Sequence, residues 1–279
     1  IEFLDNGNIK KDIELPRIVL ESEEVVVQGE KIKRKVNIQP SKVSLSPRQI
    51  KNYPALGEAD IFRAIQALPG VLTSSEFSTG LIIRGGNSDQ NLILLDGITV
   101  YNPSHLGGIF SNFIVDAVKD AELIKGGYNA EYGGRLSAVL NVTSREGNRK
   151  EFDGTANISL ISAQTTLEGP FYKGAWLISM RRTYIDQLLK IANDWNLTNA
   201  NIPYYFYDLQ GHVFSDISPK DRLSLSFYGG LDDFFFDDLG FNAEWGNRTF
   251  SLSYRRLFND LLIGNFLLAN SQFETLFGL

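Results

Sequence analysis

The sequence predicts a mixed fold: a small α+β domain followed by antiparallel strands of a transmembrane β-barrel, about six of them. Three observations predict it. Glycines cluster between short apolar runs in the middle of the chain, and from about position 148 long stretches alternate apolar and polar residues. The connections between those stretches alternate short and long, as in an outer-membrane barrel with short turns at one end and long loops at the other.

The first zone, residues 1–21, holds an Asn6-Gly7 turn signal and a proline among short alternating stretches, and reads as the last strands of a small β-domain. Residues 22–45 follow as a valine strand, "EEVVVQ", and a basic linker, "KIKRK". Valine favours extended backbone, yet no hairpin turn or apolar partner strand lies nearby. Residues 46–147 read as a compact mixed domain. In "ADIFRAIQALPG", Ile61, Ala64, Ile65 and Leu68 share one helical face, and Pro69-Gly70 ends the helix. "NLILLDGITVY" sets Asp96-Gly97 between two β-prone runs, a hairpin signal because a type I′ turn needs positive φ at both central positions. Gly126, Gly127, Gly133 and Gly134 then mark tight turns between short strands.

Residues 148–279 carry the alternation. Leu223, Leu225 and Phe227 oppose Arg222, Ser224 and Ser226; Phe250, Leu252 and Tyr254 oppose Ser251, Ser253 and Arg255. Trp176, Ile178 and Met180 oppose Ser179 and Arg181, and Tyr207, Leu209 and Val213 oppose Asp208, Gln210 and His212. Six strands are expected near 152–168, 173–184, 203–216, 220–233, 245–257 and 260–274, with long loops over "IDQLLKIANDWNLTNAN" and "DDFFFDDLGFNAEWG". A soluble β-sandwich also alternates, but its inner face should be apolar, whereas these inner faces are polar and contain arginine.

Composition excludes several classes. No apolar run approaches the roughly 20 residues of a spanning helix, so a helical membrane protein is excluded. A formal charge of −6 gives no broad attraction to nucleic acid. Absence of cysteine removes disulfides, thiol nucleophiles and cysteine-held metals. The two histidines, His105 and His212, sit in no metal-ligand spacing, and no nucleophile motif or Walker pattern is present, so neither an enzyme nor a cofactor is expected. The chain starts at Ile1 with no signal-peptide pattern and ends in "ETLFGL", which reads as a fragment or a processed chain.

The stretches "LPGV", "IIRGGNSDQNLILLDGITVYNP" and "DAELIKGGYNAEYGGRLSAVLNVTS" resemble, in order and spacing, the plug motifs of TonB-dependent outer-membrane receptors, and "LEGPFYKGAWLISMRRTYID" resembles their first barrel hairpin. Two departures stand out: Lys125-Gly126-Gly127 where the family often has Arg-Gly-Pro, and "GGRLSAVLNV" where it often has Gly-Gly-Val-Ile-Asn. Residues 1–20 resemble the end of a carboxypeptidase regulatory-like extension. The resemblance implies 46–147 as the plug and 148–279 as the start of a presumed 22-stranded barrel, truncated here. At about 9–11 residues per strand such a barrel needs roughly 200–240 residues in its membrane-spanning parts alone.

The resemblance also implies roles. Glu23, Glu24, Val25, Val26, Val27 and Gln28 look like the TonB box, which would add as a strand to an inner-membrane TonB-type partner; the alternative is a strand tucked into the chain's own sheet. Arg84, with Lys125, corresponds to charges that hold plug to barrel, or the two are exposed charges at strand ends. Glu76, Phe77, Tyr101, Asn102 and His105 lie on the expected ligand-facing apices, where ordinary turn residues would look the same. The implied partners are the energy-transducing protein, outer-membrane lipid and an imported iron chelate, vitamin or glycan. The implied location is a Gram-negative outer membrane with the N-terminus periplasmic. The competing reading is a soluble or surface-attached β-rich binding or adhesion module.

Overall fold

Alternation along the C-terminal half produces a wall of long strands, and the glycine-rich middle produces a small mixed domain packed on that wall's polar face. The structure is a computed structural model that describes residues 2–3, 9–10, 41–53, 57–73, 75, 78–198, 204–236 and 240–278. It divides into two units, 1–40 and 41–279. In the first, β1 (Glu2–Phe3) pairs antiparallel with β2 (Ile9–Lys10).

The mixed domain opens with β3 (Lys42–Leu45) and α1 (Pro47–Lys51). Ser46 caps α1 in a reciprocal box with Gln49, and Pro47 sits where its missing N–H is not needed. Helix α2 (Ile61–Gln66) follows, with Asp60 Oδ1 accepting from the Phe62 and Arg63 amides at 2.8 and 3.1 Å. Its expected face is borne out: Ile61, Ala64 and Ile65 are buried and Leu68 packs beside them. After β4 (Val71–Thr73) and β5 (Leu81–Ile83) come β6 (Leu92–Leu95) and β7 (Ile98–Thr99), joined at Asp96 (φ 52°) and Gly97 (φ 83°) as the hairpin signal required. The small pair β8 (Ser104–His105) and β9 (Phe110–Ser111) precedes β10 (Val118–Ile124) and β11 (Val139–Ser144). The central sheet runs β3-β10-β11-β6-β7, with β6 and β11 parallel. The helices pack on it around Ile50, Ile65, Phe113 and Leu140.

The wall has seven strands in sequence order: β12 (Asp153–Ile158), β13 (Ser162–Phe171), β14 (Gly174–Thr183), β15 (Tyr204–Ser218), β16 (Asp221–Phe236), β17 (Phe241–Asn259) and β18 (Leu262–Gly278). Three departures from the expected strands have local causes. The stretch 152–168 is two strands, because Ser159 Oγ accepts from the Ile161 and Ser162 amides and turns the chain. The first long connection contains α3 (Ile185–Asp194), whose apolar residues Ile185, Leu188, Leu189 and Ala192 recur at helical spacing. The acidic, aromatic stretch is strand on both sides of 237–240, since Asp233 pairs with Glu244 and Phe234 with Ala243 in the β16–β17 ladder. The turns at 172–173, 219–220 and 260–261 are short, as expected.

Burial on the wall is inverted relative to a soluble sheet. Ser251 is 3% exposed and its neighbour Phe250 44%; Asp208 is 2% exposed and Leu209 38%. Polar side chains face the mixed domain, and apolar ones face away from it. Burying polar groups while exposing apolar ones is unfavourable in water and favourable in lipid.

Candidate functional site

Alternation places Ser179, Arg181 and Thr183 of β14, and Phe206, Asp208 and Gln210 of β15, on the inward face, where they meet the mixed domain. The ladder sets Arg181 opposite Asp208 and Asp208 opposite Gly230. A side chain at 230 would collide with Tyr228 and Asp208, so glycine there leaves room for a buried ion cluster. Arg181 donates through Nε and Nη2 to Asp208 Oδ2 at 2.8 and 2.6 Å, through Nη1 to Glu58 Oε1 at 2.7 Å, and through Nη2 to the Ser111 carbonyl at 2.6 Å. One wall guanidinium thus holds two separate segments of the mixed domain.

His105 is the second cation. Its Nδ1 lies 2.7 Å from Asp232 Oδ2 and its Nε2 2.9 Å from Asp208 Oδ1. Both ring nitrogens face carboxylates, and only the imidazolium donates from both. Burial opposes that charge, but the charge and hydrogen bond of Asp208, reinforced by Asp232, push the His105 pKa up to about 9. Tyr204 and Tyr228 donate to Asp232 and Asp208, and Glu58 accepts from Ser162. Phe206 stacks on His105 with ring centroids 4.0 Å apart, and the Arg181 guanidinium carbon lies 5.0 Å from its centroid. With its carboxylate oxygens taken by arginine, histidine, serine and tyrosine, the cluster is a fastening and not a reactive or metal-binding centre.

Smaller ties flank it. Arg145, at the link between domain and wall, pairs with Glu168 and donates to the Asp116 carbonyl at 2.8 Å, and Asn157 donates to the Asp116 carboxylate. Ile114 and Ala117 pack on Leu177.

The residues singled out in the sequence fall in different places. His105, expected on a ligand-facing apex, is 1% exposed inside the ion cluster, because two wall carboxylates converge on it. Tyr101 is exposed, and Asn102 lends its carbonyl to Asn112 and Asn247. Arg84 is exposed with positive φ and lies over Gly126, and Lys125 donates to the Pro69 carbonyl at 2.7 Å, so among the described residues these contacts are to the mixed domain. Glu76, Phe77 and the stretch Glu23, Glu24, Val25, Val26, Val27, Gln28 lie outside the described residues. Sequence reasoning did not single out Glu58, Arg181, Asp208 or Asp232. A signal existed for Arg181 and Asp208: both stand on the polar face of strands whose other face is apolar.

Residues 35–139 match the TonB-dependent Receptor Plug Domain family. The chain is 33% identical over 76 residues to the TonB-dependent transporter Oar of Myxococcus xanthus, covering 27% of this chain and 7% of that protein. It is 31% identical over 113 residues to the vitamin B12 transporter BtuB of Vibrio vulnificus, covering 38% of this chain and 18% of that protein. Among solved structures, the siderophore receptor PirA of Pseudomonas aeruginosa superposes with a TM-score of 0.61 at 16% identity, over 86% of this chain and 42% of that one. The ferric enterobactin receptor PfeA of the same organism gives 0.60 at 18% identity, over 87% and 42%. The chain spans less than half the length of each of these proteins. The motif order and the family match agree: residues 35–139 form a TonB-dependent receptor plug domain, and the strands that follow share the fold of the barrel wall in these receptor structures.

Proposed function

We propose that the chain is the plug and opening barrel strands of an outer-membrane receptor that imports a scarce ligand by energy-driven rearrangement of the plug. The observation that carries this reading is the buried cluster of His105, Arg181, Asp208, Asp232 and Glu58, which fastens a small domain to the polar face of an inside-out strand wall. Such a domain occludes the lumen until a force moves it.

In this reading Glu23, Glu24, Val25, Val26, Val27 and Gln28 add as a strand to a periplasmic TonB-type partner, whose pull supplies the work. Tyr101 and Asn102, with Glu76 and Phe77, face the ligand. Arg84 and Lys125 make ionic contacts to barrel strands beyond this chain. The relatives' names supply candidate ligand classes: siderophores for PirA and PfeA, vitamin B12 for BtuB. A glycan is the third candidate class.

The test uses the full-length receptor in cells, scoring uptake of radiolabelled ferric siderophores and cobalamin with and without a protonophore. Val26→Pro removes one backbone donor from the pairing strand and is expected to abolish energised uptake while leaving ligand binding unchanged. Unchanged uptake by this variant would place the coupling segment elsewhere.

A further inference from the structure

The outward face of the wall changes character towards its long-loop end. Leu225 and Phe227 of β16, Phe250 and Leu252 of β17 and Leu268 of β18 form an apolar band. Two rows follow above it. Leu209 pairs with Gly229, Gly229 with Arg248 and Arg248 with Gln272; one row higher, Tyr207 pairs with Leu231, Leu231 with Gly246 and Gly246 with Glu274. Residues directly opposite share a face of the sheet, so both rows lie on the side of Leu209, away from the plug. The two glycines leave a groove of about 130 Å³, with Tyr207, Leu209 and Leu231 towards β15 and Arg248, Gln272 and Glu274 towards β18.

The fold explains one of these glycines and not the other. At 246 a side chain would run into the Gly230 carbonyl, whereas at 229 it would meet nothing within 4 Å. Gly229 has no positive φ, and the ladders on both its sides pass through it without a bulge. Glycine inside a strand weakens it and marks a bulge, a bend or the close approach of another molecule. Here the close approach fits, because the vacant space is the groove itself. Arg248 is the second observation. Its side chain is 72% exposed at the edge of the apolar band, and its one ion pair among the described residues, to Glu274 Oε2 at 3.9 Å, is beyond hydrogen-bond range. Glu274 Oε1 instead accepts from Gln272 Nε2 at 2.6 Å. The guanidinium fork, which matches a phosphate bidentately, is therefore available on a surface that faces lipid.

We propose that this groove binds a phosphorylated glycolipid of the outer leaflet. One acyl chain lies over Gly229 between Leu209 and Leu231, Arg248 donates to the phosphate, and Gln272 and Glu274, with Glu244 one row higher, hydrogen-bond the sugar hydroxyls. Carboxylates repel a bare anion but accept from hydroxyls. A rim of one arginine, two acids and an amide therefore selects a phosphosugar over a simple anionic lipid. The groove lies at the long-loop end of the wall, the extracellular end in barrels of this type, which puts it in the outer leaflet. This inference rests on the outer-membrane reading above.

The test uses the full-length receptor, purified in detergent and mixed with equal amounts of diphosphorylated lipid A and phosphatidylglycerol, with retained lipid counted by native mass spectrometry. The wild type is expected to retain lipid A in preference to phosphatidylglycerol. Gly229→Val fills the groove with a residue that favours strands, and Arg248→Gln removes the phosphate donor. Each is expected to lower lipid A retention about tenfold. Arg182→Gln is the control: Arg182 is an outward arginine of β14 in the row of Tyr207, away from the groove, and its loss should change nothing. Equal loss in the control, equal retention of the two lipids, or unchanged retention in Arg248→Gln overturns the site. Arg248→Gln, at an exposed side chain, carries the test should Gly229→Val not fold. A receptor that assembles as a heat-modifiable barrel in bilayers yet retains no lipid A rejects the groove alone. Failure to assemble there rejects the outer-membrane reading itself.

Discussion

His105 is the residue on which the plug–wall fastening turns. Its ring is charged in the folded protein because two buried carboxylates face its two nitrogens. The ordinary histidine pKa is about 6.5, and here it is raised to about 9. A raised pKa stabilises the folded state fully below pH 6.5, and that contribution is lost as pH rises through about 9. The shift corresponds to roughly 3 kcal/mol. Guanidinium midpoints of the full-length receptor should therefore fall between pH 7 and 10, and His105→Gln should lower the midpoint at pH 7 and flatten this dependence. A variant that keeps the wild-type slope would show that another group titrates. Arg181 has no such sensitivity, since a guanidinium stays protonated throughout this range.

At the scale of elements, the link between plug and wall depends on Gly147. It has φ 89°, and a side chain there would run into the Trp176 carbonyl. Left-handed backbone alone costs a non-glycine residue about 1–2 kcal/mol, and the backbone clash adds to it. Gly147→Ala is expected to lower the melting temperature of the receptor and to raise protease cleavage near the link, whereas Gly133→Ala, where nothing lies within 4 Å, should do neither. Equal effects at the two sites would count against the close approach at 147. The elements differ in how far the sequence exposes them. Helix α2 and the Asp96-Gly97 hairpin are legible because their signals are local: an apolar face three or four residues apart, and a dipeptide that tolerates positive φ. The β12–β13 break is hidden because it rests on one serine side chain turning back on the next two amides. The acidic stretch before β17 reads as a loop from its charge and aromatics alone, because composition does not reveal the partner strand; pairing of Asp233 with Glu244 overrides it.

At the scale of the whole molecule, the wall's inside-out burial is the property that separates a membrane barrel from a soluble β module. Alternation gave its period, and the polar inner faces gave its sense. What the sequence alone does not reveal is which inward charges meet: Arg181 and Glu58 are more than a hundred residues apart and come together only when the plug seats on the wall. The Asp208 and Asp232 carboxylates likewise become a histidine clamp only through the register of β15 with β16. The same register exposes a lipid-facing surface on the other side. Leu225→Arg there should lower membrane insertion of the full-length receptor by about 2–4 kcal/mol if it lies near the bilayer midplane, read as loss of heat-modifiable folded protein from membranes. The most direct measurement of the central claim is electron paramagnetic resonance on nitroxides attached singly at positions 223, 224, 225 and 226 of the full-length receptor in bilayers. Positions 223 and 225 should be relaxed by oxygen dissolved in lipid and shielded from a water-soluble nickel chelate, with 224 and 226 protected from oxygen. Oxygen protection at 223 and 225, or no alternation along the four positions, would contradict a wall that turns its apolar face to the membrane.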